Sequence, residues 1–113
     1  MPPAKSDVLQ GTLDLILLRL LRASSANGWE LTRSIQTVSR GILDVNYGSV
    51  YPALRRLEAD GLVRASWETS PNNRRARVYE LTAAGRRRLV TEEESWKRYS
   101  QAMGFILNHE AGP

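Results

Sequence analysis

Tyr47-Gly48-Ser49-Val50-Tyr51-Pro52-Ala53-Leu54-Arg55-Arg56-Leu57-Glu58, closed by Asp60-Gly61, reads as one amphipathic helix with an unusual outer face. The spacing predicts a helix from Ser49 to Asp60, with Val50, Leu54 and Leu57 turned inward and Tyr51, Arg55 and Glu58 on the opposite side. Ser49 can cap it. Pro52 falls within the first turn, where few backbone donors have helical partners, and Gly61 is a natural C-terminal stop. The outer face offers hydroxyl donors at its N-terminal end and a guanidinium one turn later. A helix of this kind can enter a major groove about 12 Å wide.

Before it, Ile42 to Tyr47 is a connector. A second helix is expected from Gly28 to Ser39, with Asn27 as N-cap, Leu31, Ile35 and Val38 as the inward stripe, and Gly41 in the left-handed position that ends it. The first helix is expected from Val8 to Ala23. Leu9, Leu13, Ile16, Leu17, Leu20 and Leu21 sit at helical spacing, and Leu15 and Leu18 add apolar surface opposite them. A helix apolar nearly all round needs cover on both sides, one from its own domain and the other from another subunit. Asp14 and Arg19 interrupt its apolar run, which is far shorter than the roughly 20 residues of a membrane span. No membrane association is expected. The polar start Met1-Pro2-Pro3-Ala4-Lys5-Ser6 is unlike a signal peptide, and the absence of cysteine fits a cytoplasmic protein.

After it, Leu62 to Thr69 and Ala76 to Leu81 read as two strands joined by Ser70-Pro71-Asn72-Asn73-Arg74-Arg75, a hairpin with a long tip. Arg74, Arg75 and Arg77 cluster at or just beyond the tip, and Asn72 and Asn73 add donors. Trp67 and Tyr79 read as packing within the hairpin. Thr82 caps a last helix from Ala83 to about Asn108. There Leu89, Trp96 and Met103 recur every seven residues, with Tyr99 and Ile106 as companions, a coiled-coil-like seam broken at Glu92.

This order implies a mainly α protein of the α+β class: a winged helix-turn-helix of three helices and a two-stranded wing, followed by a long C-terminal dimerisation helix. The 113 residues divide into a DNA-binding domain at 1–82 and a dimerisation helix with its tail at 83–113. Net charge is +4 and the pI about 10.0, which favours a polyanionic partner less than the placement of the arginines does. The expected partner is double-stranded DNA. Its contacts are expected from Ser49, Tyr51, Pro52, Arg55 and Arg56 on the helix and from Asn73, Arg74, Arg75 and Arg77 on the wing. A homodimer interface is expected at Leu9, Leu13, Leu17, Leu89, Trp96, Tyr99, Met103 and Ile106.

Nothing assembles a catalytic set. The single histidine is His109, near the end of the chain; there is no Gly-rich phosphate loop, and Glu92-Glu93-Glu94 has no histidine to complete a metal site. No enzyme, metal or cofactor is expected.

The helix signature Tyr47 to Glu58, with Gly61-Leu62-Val63 behind it, resembles the recognition helix of PadR-type transcriptional regulators. Gln10-Gly11-Thr12-Leu13-Asp14, Asn73-Arg74-Arg75 and Tyr79-Glu80-Leu81-Thr82-Ala83-Ala84-Gly85 resemble other parts of that family, and together the likeness spans about Leu9 to Tyr99. A single long C-terminal helix is similar to the compact PadR subfamily. One departure is Asn27-Gly28-Trp29, where the family more often has His-Gly-Tyr. The resemblance implies a dimer built from the first and last helices that binds a palindromic operator and usually represses. It also implies a role for Trp96, because in some drug-responsive members an aromatic at the matching place lines a pore between subunits. A small aromatic or hydrophobic inducer could stack there, or Trp96 could simply pack in the interface. The competing reading is a dimeric helical adaptor that recruits a protein and does not bind DNA; it leaves the arginine-rich hairpin idle.

Overall fold

The computed structural model describes residues 11–69 and 71–110. Helix α1 (Thr12–Ala23) is described from Thr12 onward, so the expected start at Val8, and Leu9 with it, lies outside the described residues. Leu17, Leu18 and Leu21 are buried, and Leu13, Leu15, Ile16 and Leu20 pack partly against the core. α2, α3, β3 and α4 of its own chain pack on the helix, and Leu15, Ile16 and Leu20 keep part of their surface in open clefts.

Two residues form strand β1 (Ala26–Asn27), and helix α2 (Gly28–Val38) follows directly. Asn27 caps α2 reciprocally. Its Oδ1 accepts from the Glu30 backbone N–H at 2.8 Å, and Glu30 Oε1 accepts from the Asn27 N–H at 2.9 Å. Leu31 and Ile35 are buried, but Val38 is 69% exposed: the stripe outlasts the core that covers it. Past the helix the left-handed backbone begins one residue before Gly41, at Arg40 (φ 57°).

Helix α3 (Tyr47–Ala59) starts two residues earlier than the sequence suggests. Asn46 is the cap, and Ser49 receives it: Asn46 Oδ1 accepts from the Ser49 N–H at 2.9 Å. Pro52 therefore falls in the second turn, where its ring lacks the N–H that would reach back toward Gly48. The helix closes on Gly61 at φ 74°, with Leu62 N–H donating to the Leu57 carbonyl at 2.9 Å. That left-handed turn is one glycine adopts without strain.

Strands β2 (Val63–Thr69) and β3 (Arg75–Leu81) pair antiparallel, with Ala65 opposite Tyr79 and Trp67 opposite Arg77. β1 adds to the free edge of β3, so the sheet has three strands in the order β1-β3-β2 where two were expected. Alternation puts Val63, Ala65, Trp67, Leu81, Tyr79, Arg77 and Arg75 on one face. That face runs from the core at Val63, Leu81 and Tyr79 out to the exposed Trp67 and Arg75.

Helix α4 (Ala83–Leu107) begins where α3 ends. Thr82 Oγ1 donates to the Gly61 carbonyl at 2.8 Å and accepts from the Gly85 N–H at 3.0 Å. A Cβ at Gly85 would stand 2.1 Å from the Leu62 carbonyl oxygen, so only glycine permits this approach. Leu89 seals the core, with Leu17, Leu18, Leu31, Leu54 and Leu57 also nearly inaccessible. Beyond it no described residue of α4 is buried, although Glu92, Trp96 and Tyr99 still flank α1.

Candidate nucleic-acid interface

The outer face of α3 and one face of the wing border a common groove. Tyr51, Arg77 and Tyr79 line both of its compartments. One is completed by Arg55, Glu58 and Ala59 on α3, the other by Tyr47, Trp67 and Arg75 with the start of α2. Val50, Ala53, Leu54 and Leu57 anchor α3 in the core, which turns Tyr51, Pro52 and Arg55 outward. Tyr51 is 38% exposed, and its hydroxyl accepts a long 3.5 Å bond from Arg55 Nη1. The Arg55 guanidinium also stands 5.9 Å from the Tyr51 ring centre. Tyr47 packs on Tyr51 from the preceding turn, ring centres 5.9 Å apart.

The expected cationic residues meet different fates. Arg55 and Arg75 touch aromatic rings and, among the described residues, have no carboxylate partner. Their charge remains available. Arg56 points the other way and donates from Nη2 to Asp14 Oδ1 on α1 at 2.7 Å. Its first duty is to tie α3 to α1. Arg77 donates from Nη2 to Glu58 Oε2 at 2.6 Å, and its ring neighbour is Trp67, with the centre 5.7 Å away. The bond to Glu58 raises the Arg77 pKa above its ordinary value against the opposing effect of burial. Asn73 turns the wing tip at φ 66°, the left-handed geometry asparagine tolerates, and Arg74 is exposed beside it. Trp67, read from sequence as hairpin packing, is 56% exposed and sits under two guanidinium groups, Arg75 being 5.0 Å from its centre. Tyr79, by contrast, is buried as expected.

With that geometry in place, the sequence profile of the "Transcriptional regulator PadR-like family" matches residues 17–91, more than half of the chain. The chain belongs to the PadR-like family of transcriptional regulators. The "Transcriptional regulator Rv3488" of Mycobacterium tuberculosis is 36% identical over 77 residues, covering 68% of this chain and 71% of that protein. A PadR family regulator structure from Eggerthella lenta superposes with a TM-score of 0.78 at 28% identity, over 89% of this chain and 86% of that one. A transcriptional regulator from Clostridium thermocellum gives 0.79 at 24% identity, over 90% and 96%, and speaks for the fold alone. The fold is thus the PadR winged helix, and the family's members are DNA-binding regulators rather than enzymes.

In this PadR-family chain the residues expected at a subunit interface divide in two. Leu17 and Leu89 are fully used by the core of their own chain and have no surface left for a partner, which corrects their assignment to the interface. Leu13 is partly buried, whereas Trp96, Tyr99 and Ile106 are exposed along α4, with Met103 half-buried between them. Phe105 and Leu107, which the seven-residue seam skips, are exposed as well. Trp96 and Tyr99, ring centres 6.0 Å apart, border an open cleft of about 480 Å³ with Leu15 and Glu92. Among the described residues no helix is long and apolar enough to cross a membrane, and no group of three or more His, Cys, Asp or Glu side chains could hold a metal ion.

Proposed function

We propose that this PadR-family regulator is a repressor that binds a palindromic operator as a homodimer, α3 in the major groove and the wing on the adjacent backbone or minor groove. The observation that carries the reading is the groove shared by α3 and the wing, flanked by the unneutralised Arg55 and Arg75. Ser49, Tyr51, Pro52, Arg55, Asn73, Arg74 and Arg75 supply the contacts. Arg56 and Arg77 act at one remove, as braces of α3. Residues 1–82 bind DNA, and the α4 segment within 83–113 dimerises.

The apolar side chains on the free length of α4 support the dimer, since a lone helix would leave them in water. Two-fold symmetry would then set two copies of α3 about 34 Å apart, facing successive major grooves. Bound there, the dimer would block polymerase. The cleft at Trp96 and Tyr99 suits a flat cationic or hydrophobic inducer, with Glu92 as counter-charge and a changed pose of the two α3 helices as its effect.

Fluorescence anisotropy on DNA from the chain's own upstream region, across a salt series, tests the reading. Arg55→Ala, Arg74→Ala and Arg75→Ala should each weaken binding and lower the salt slope by about one where the side chain meets a phosphate. Tyr51→Ala should cost about 1–3 kcal/mol on specific DNA only. Absence of salt-sensitive binding to any duplex would favour the protein-recruiting adaptor.

A further inference from the structure

The compartment between α3, the wing and the start of α2 has a composition that cationic contacts alone do not explain. Five aromatic side chains border its roughly 350 Å³, Trp29, Tyr47, Tyr51, Trp67 and Tyr79, together with Arg75 and Arg77, and among the described residues no carboxylate lines it. Tyr79 is buried at its floor, and the other four rings retain substantial exposure. Trp67 contributes nothing to the core: it lies on the outer half of β2, opposite Arg77, in the field of two guanidinium groups. Asn27 and Gly28 bring the start of α2 to the same place, where the Glu30 carboxylate already accepts from the Asn27 N–H.

With α3 in a major groove and the wing reaching the next minor groove, the sugar–phosphate strand dividing those grooves must pass between them. The compartment lies between those two elements. The strand alternates anionic phosphates with apolar faces of deoxyribose. The compartment offers both complements, the Arg75 guanidinium for the first, indole and phenol rings for the second. We propose that the compartment seats one sugar–phosphate strand, Trp67 packing on deoxyribose and Arg75 on the adjoining phosphate. Trp67 is then a DNA contact that carries no sequence information, held in place by the arginines stacked on it. The inference rests on the DNA-binding reading above and adds to it a strand position and a residue.

The test uses the full chain labelled with 5-fluorotryptophan. It has three tryptophans, hence three fluorine resonances, assigned with Trp29→Phe, Trp67→Phe and Trp96→Phe. The probe is a duplex that the chain itself enriches from a random library, with complex formation followed separately by anisotropy. The Trp67 resonance should shift and lose its solvent isotope effect in the saturated complex, while that of Trp96 keeps its own. Trp67→Ala should bind about tenfold more weakly on the enriched and on a scrambled duplex alike, with the salt slope unchanged, and Trp67→Phe should recover most of the loss. A saturated complex in which Trp67 stays solvated, or in which Trp67→Ala binds like the parent chain, overturns the seat while DNA binding stands. So does a slope that falls by about one, which would mean that Trp67 merely holds Arg75. Failure to enrich or bind any duplex overturns both readings.

Discussion

Arg77 on β3 and Glu58 on α3 are joined by a 2.6 Å bond from Nη2 to Oε2, a direct tie between the wing and the helix beside it. Both side chains keep about a third of their surface in water, so the pair adds little to stability. Its consequence is geometric and electrostatic. It holds β3 against α3 at that point, and it pairs a cation on the face that the proposed reading gives to phosphate.

Glu58→Gln should therefore release Arg77 toward DNA. The expected outcome is tighter binding to unrelated duplexes and a salt slope about one unit steeper, read by anisotropy. An unchanged slope, with Arg77→Ala lowering it in the parent chain, would mean that Arg77 already contacts phosphate despite its partner.

Gly85→Ala places a methyl group against a backbone carbonyl that cannot move without shifting the α3–β2 junction. We expect a loss of about 1–3 kcal/mol, seen as a lower urea midpoint with the denaturant slope unchanged. A neutral substitution would show that α4 starts further from Leu62 than the geometry indicates.

Arg40 occupies the left-handed region just past the end of α2, at φ 57°. A side chain there costs roughly 1–2 kcal/mol, which glycine avoids while paying more chain entropy on folding. Arg40→Gly should raise stability by up to about 1 kcal/mol in urea titrations. A lower midpoint would mean that the arginine makes a compensating contact.

Burial pushes the Tyr79 phenol above its ordinary value of 10.0, with the Arg77 charge opposing the shift. The folded chain thus holds this proton more firmly than the unfolded one. The contribution is whole below about pH 10 and is lost as the pH climbs toward the folded value. Between about pH 9 and pH 11 the urea midpoint of Tyr79→Phe should fall less than that of the parent chain. Parallel curves would show that Tyr79 does not titrate differently on folding.

What could be read from the chain alone was whatever depends on near neighbours. The Val50–Leu54–Leu57 stripe, the Asn27 cap, the Gly61 stop and the Thr82 start of α4 are all local, and all are present. Cap choice at α3 went astray because Asn46 and Ser49 both qualify and local pattern does not rank them. β1 escaped because two residues carry no alternation, and only pairing with β3 makes them a strand. At the site, Arg55 and Arg75 kept their charge, whereas Arg56 and Arg77 found carboxylates 42 and 19 positions away. Such pairings exist only once the chain has folded. Trp67 was hidden for a similar reason, since a tryptophan in a strand reads as packing until its face is known.

The direct test of paired α3 helices entering adjacent grooves is selection of bound duplexes from a random library, with the half-sites read out by sequencing. The expected result is an inverted repeat whose half-site centres lie about 10–10.5 base pairs apart, or a whole multiple of that. Enrichment of a lone asymmetric site, or of nothing above the input pool, would contradict it.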